Sequence, residues 1–70
     1  MTTLKTALKT LNPNAQVGIY DSDDEYILMM YIYHNPEEAL TLLSEEILNQ
    51  PIVGDVEEEP DGLFTICYQA

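Results

Sequence analysis

The sequence predicts an α+β fold in αββαββ order, a four-stranded sheet with two helices packed on one face, and three observations predict it. Apolar residues recur at helical spacing in two stretches, 4–11 and 36–48. Short runs rich in Ile, Val and Tyr, bounded by Asn, Asp, Pro and Gly, recur at four places and have strand character. The longest of these, Tyr-Ile-Leu-Met-Met-Tyr-Ile-Tyr from Tyr26 to Tyr33, is apolar on both alternate faces, as a central strand requires.

The first helix starts after Thr2 or Thr3, either of which can cap it, and carries Leu4, Ala7, Leu8 and Leu11 on one face. Lys5 and Lys9 are neighbours on its wet side, where they repel weakly. Asn12-Pro13-Asn14 stops it. Ala15, Val17 and Ile19 then alternate with Gln16, Gly18 and Tyr20 as a half-buried strand, and the acidic turn 21–25 makes a hairpin with the Tyr26–Tyr33 run. Asn35-Pro36-Glu37-Glu38 places a cap residue, a proline and two acids where a helix begins. The second helix carries Leu40, Leu43 and Ile47 on one side and Glu38, Glu45 and Glu46 on the other, and Asn49-Gln50-Pro51 ends it. Ile52 to Glu58 is the third strand. Glu59-Pro60-Asp61-Gly62 has the pattern of a type I turn, and Leu63 to Tyr68 is the fourth strand. The second helix becomes the crossover between two hairpins, right-handed if strands two and three run parallel.

Seventy residues make one domain, 1–70, and a chain of that size hides only about 60% of the surface its unfolded form exposes. Cys67 is the one cysteine, so no internal disulfide can form, which suits a reducing, cytoplasmic setting. The first residues lack a secretory pattern. The apolar run at 26–33 is far below the roughly 18 residues of a membrane-spanning helix.

Charge is the unusual property. Thirteen acids face two lysines and no arginine, for a formal net charge of −11. Both lysines lie in residues 1–20, and all thirteen acids lie in residues 21–70. Such a chain repels nucleic acid and anionic membranes, so its expected partner is a basic protein or a cation.

Candidate sites follow from where the acids cluster. Asp21, Asp23, Asp24 and Glu25 offer the oxygen ligands a hard cation wants, but an EF-hand loop starting at Asp21 would need Gly and Glu where Tyr26 and Ile32 stand. A solvated hairpin turn is the preferred reading, and no metal or cofactor is expected. In an extended strand Asp55, Glu57 and Glu59 would form a row about 6.6–6.8 Å apart, joined by Glu58 and Asp61, a spacing that approximates phosphates. The bland alternative is an edge strand guarded by charge. Glu38, Glu45 and Glu46 add a third acidic group on the second helix. Cys67 and His34 are a formal nucleophile and base, but a core cysteine and a strand-end histidine account for both, so no enzymatic activity is expected. The tyrosines read as sheet packing or a protein contact rather than base stacking. With Leu28, Met30 and Ile32 turned toward the helices, Ile27, Met29, Tyr31 and Tyr33 would look outward and form a dimer or partner face.

In its small size and acidity with little Lys or Arg, the chain resembles inhibitors made by phages and mobile elements that mimic nucleic acid. The resemblance implies an interaction protein that blocks a basic nucleic-acid-binding cleft, as anti-restriction and anti-CRISPR proteins or transcription-factor antagonists do. The partner-binding residues would be Asp21, Asp23, Asp24, Glu25, Glu38, Glu45, Glu46, Asp55, Glu57, Glu58, Glu59 and Asp61. Two alternatives belong to other classes: a homodimeric structural or regulatory module whose charge serves solubility, and a cation-binding domain.

Overall fold

The middle of the sheet is built from two short strands that are far apart in the chain. The computed structural model describes residues 2–22 and 30–69. They form α1 (Leu4–Thr10), β1 (Val17–Asp21), β2 (Tyr31–Tyr33), α2 (Pro36–Leu42), α3 (Glu45–Leu48), β3 (Glu57–Glu58) and β4 (Phe64–Tyr68). The strand order is β2-β1-β4-β3. β1 and β4 run parallel at the centre, from Val17 opposite Phe64 to Asp21 opposite Tyr68. β2 and β3 form the edges, paired antiparallel with β1 and β4 respectively. The α+β class and the four-stranded sheet read from the sequence are both present.

One sheet face carries the core. Val17, Ile19 and Ile66 are buried together with Leu4, Ala7 and Leu8 of α1, Ala39 of α2 and Leu48 of α3. Because alternate strand residues share a face, all three helices cover the side on which Val17, Ile19 and Ile66 project. Gly18, Tyr20, Thr65 and Cys67 project from the other side. Chain segments beyond the named strands extend the pairing. Pro51 bridges Thr3 and Ile52 bridges Tyr68, while the Val53 N–H donates to the Cys67 carbonyl at 2.8 Å.

The Tyr26–Tyr33 run is not the central strand. Its described part is Met30 followed by β2, an edge strand of three residues, and Tyr26 to Met29 lie outside the described residues. Burial goes instead to Val-Gly-Ile in β1 and Thr-Ile in β4. The facing is also reversed. Tyr33 pairs with Val17 and Tyr31 with Ile19, so both tyrosines project on the helix side, and Tyr33 packs against the core. Ile32 opposes Gly18 and takes the other face, where the Met30 side chain fills the space above that glycine. A Cβ added at Gly18 would stand 2.5 Å from the Met30 sulfur.

The second helix is two helices. Leu43, expected within the helix, has extended backbone at ψ 146° and caps α2. Ser44 then starts α3, its hydroxyl accepting from the Ile47 N–H at 3.3 Å. Asn35 caps α2 by accepting from the Glu38 N–H at 2.8 Å, and the Glu38 carboxylate accepts from the His34 N–H at 3.2 Å. Thr3 caps α1. Lys5 is not left to repel Lys9 alone: its Nζ lies 3.8 Å from Glu45 of α3. Strands two and three do not pair, because β2 and β3 occupy opposite edges; the parallel pair joins the first strand to the last. The third strand is also shorter than Ile52 to Glu58, since Gly54 turns left-handed at φ +72° and breaks the extension.

Candidate interaction surface

Carboxylates gather on the edge hairpin of β3 and β4. Glu57 pairs with Thr65 and Glu58 with Phe64 across the antiparallel ladder, so the two glutamates project from opposite faces. The connecting turn is closed by the Gly62 N–H donating to the Glu59 carbonyl at 2.9 Å and the Glu59 N–H donating to the Leu63 carbonyl at 2.7 Å. Asp61 Oδ1 accepts from the Leu63 N–H at 3.1 Å, a local bond typical of Asp in turns. Gly62 holds φ +90°, a conformation that side chains strain to adopt.

Glu59 folds back on the sheet. Its Oε1 accepts from the Thr65 hydroxyl at 3.4 Å, and the same hydroxyl lies 3.5 Å from the Glu57 carbonyl. This pins Glu59 to the face that the helices leave free. Tyr20 shares that face: its phenol is pushed above the ordinary value, chiefly by burial and then by Cys67, Glu57 and Glu59. Glu57 and Glu59 therefore both lie near Tyr20. Glu58, on the opposite side, lines a shallow hollow of about 310 Å³ with Asn12, Asn14, Ala15, Gly62 and Phe64. Asp55 is exposed and, like Glu59, lies outside β3, so of the expected row of Asp55, Glu57 and Glu59 only Glu57 stands in a paired strand.

The other expected site residues are dispersed. Asp21 ends β1 opposite Tyr68 and is half-buried. Burial is the main cause that raises the Tyr68 phenol, followed by Asp21, Tyr33 and Tyr31, which places that carboxylate near the Tyr68 ring. Glu38 serves the start of α2, and Glu45 pairs with Lys5. Glu46 is exposed on α3. Asp23, Asp24, Glu25, Ile27 and Met29 lie outside the described residues. Among the described residues no group of three or more His, Cys, Asp or Glu side chains is arranged to hold a metal ion, and no helix is long and apolar enough to cross a membrane. Burial, with Asp21 second, raises the Cys67 thiol above its ordinary value, which keeps it protonated at neutral pH and a poor nucleophile.

Tyr20 and Thr65 were missed as parts of a carboxylate site. Both sit at positions that alternate with buried Ile19 and Ile66, so the period of two placed them together on the opposite face. With thirteen acids and two lysines, one-to-one pairing leaves at least eleven acids without a lysine of this chain. Comparison of the chain with protein-family models, curated proteins and solved structures found no match.

Proposed function

We propose that the chain is an acidic protein–protein interaction module, an inhibitor that mimics nucleic acid and occupies the basic nucleic-acid-binding cleft of another protein. The observation that carries this reading is the edge hairpin. Glu57, Glu58, Glu59 and Asp61 crowd onto β3 and its turn with carboxylates on both faces, in a chain whose lysines are both on α1. A cleft lined with Arg and Lys that closes over this edge meets negative charge on each side, as it does on a nucleic acid backbone. The class of partner is a restriction enzyme, a CRISPR effector or a transcription factor. The role is non-catalytic.

The test is capture of partners from host lysate at low salt, elution with salt, and competition with duplex DNA or RNA. The captured protein should bind nucleic acid, lose the chain as salt rises, and bind Glu57→Lys with Glu58→Lys about tenfold or more weakly. A complex that survives molar salt, or one indifferent to the double charge reversal, would overturn the reading.

A further inference from the structure

Beyond the end of α1, the loop at 12–15 comes up against the hairpin of β3 and β4, and the hollow of about 310 Å³ lies between the two. That volume is at the small end of the about 300–1,000 Å³ common for ligand sites, which suits one side-chain head group. Its walls are tied in place. Asn12 Oδ1 accepts from the Asn14 N–H and the Asn12 carbonyl from the Ala15 N–H, each at 2.9 Å, while the Phe64 N–H donates to the Gln16 carbonyl at 2.9 Å and fastens the loop to β4. Glu58 and Phe64 are direct partners across the antiparallel ladder, so carboxylate and ring project side by side from one face. The ring is half-buried and the carboxylate exposed. Among the described residues the one ion pair joins Lys5 to Glu45, so no lysine of this chain neutralises Glu58.

A carboxylate beside an aromatic ring, with amide side chains on the facing wall, selects a flat cation. Guanidinium meets all three: it lies against a ring, forks two N–H bonds to a carboxylate, and has further donors for the side-chain carbonyls of Asn12 and Asn14. An ammonium is a point charge that holds its water more strongly and cannot fork in this way. An anion is repelled by Glu58 and by the net charge of −11. We propose that the hollow between Glu58 and Phe64 is the seat for an arginine side chain of the basic partner, stacked on Phe64 and paired with Glu58. The seat rests on the reading of the chain as a ligand for a basic cleft and names the residue type that anchors it. Because the walls are formed before binding, little order has to be created when the arginine enters.

The probe is N-acetylarginine amide titrated into the isotope-labelled chain at fixed ionic strength, compared with N-acetyllysine amide, with binding read from backbone amide chemical shifts. The arginine probe should bind about threefold or more tighter, with the largest shifts at Asn14, Ala15, Gly62 and Phe64. Phe64→Leu keeps an apolar wall without the ring and should shrink that preference. Glu58→Gln should weaken the arginine probe about threefold or more, while Glu46→Gln, the same charge change on α3, should leave it nearly unchanged. Equal affinity for the two probes, no shift at the hollow, or equal effects of Glu58→Gln and Glu46→Gln would overturn the proposal. The comparison of probes uses the unaltered chain, so it decides the matter even if Phe64→Leu fails to fold. It also needs no partner protein: a chain that seats arginine but is not captured by a nucleic-acid-binding protein loses the mimicry and keeps the seat, and one that is captured yet ignores arginine loses only the seat.

Discussion

Leu42 and Leu48 belong to the same stretch of expected helix and have opposite environments, 67% exposed against 2%. The difference sets what each contributes. Leu48→Ala leaves a cavity among Leu4, Leu8 and Ala39 and should cost about 2–5 kcal/mol, while Leu42→Ala should stay within about 0.5 kcal/mol. Urea unfolding of the two variants checks this, and equal costs would mean that α3 does not seat its leucine in the core. The tyrosines supply a second measurement. The phenols of Tyr20, Tyr33 and Tyr68 are raised above 10.0, in each case chiefly by burial, so the folded state favours their protonated forms. Below pH 10 both states keep these protons and the contribution is whole. Above it the unfolded chain releases them first, and stability falls as pH climbs through the folded values. Thermal melts between neutral pH and pH 11 should show a midpoint that drops only at the alkaline end, together with a delayed phenolate absorbance.

Among the elements, β2 shows best where sequence reading succeeds and where it fails. Its residues read as a strand because Ile and Tyr recur between turn signals. Its position was not, because an uninterrupted apolar run suggests burial on both faces, whereas strand order depends on which partners are found at long range. Gly18 is the local clue. A glycine inside an apolar strand marks a close approach, and here the Met30 side chain fills the space a Cβ would take. Gly18→Ala should cost about 1 kcal/mol by displacing that flexible side chain, and less when Met30→Ala has removed it. A double-mutant cycle in urea reads the coupling, and strict additivity would contradict the contact. The break between α2 and α3 was also written in the sequence. Ser44 followed by Glu45 and Glu46 is a cap with acids in the first turn, but a continuous apolar stripe from Leu40 to Ile47 concealed it. The acidic hairpin was legible as a turn and as a charged edge. What distributes its carboxylates over two faces is the pairing of β3 with β4, which composition does not reveal.

For the whole molecule, charge sets the conditions of stability. The pair of Lys5 with Glu45 is exposed and worth about 0–1 kcal/mol, too little to offset a net charge of −11. Monovalent salt screens the remaining repulsion, so the thermal midpoint should rise by several degrees between low ionic strength and half-molar sodium chloride. A midpoint that falls or stays fixed would mean that the acids are held apart well enough for repulsion to be negligible. The parallel pairing of β1 with β4 has a kinetic consequence. Val17 must find Phe64 before the centre of the sheet exists, and most of the chain lies in the loop that this meeting closes. Hairpins and helices can form early from local contacts, but neither half of the chain holds both middle strands. Closing that loop is therefore the step expected to limit the rate of folding, and the core is complete only once it has closed.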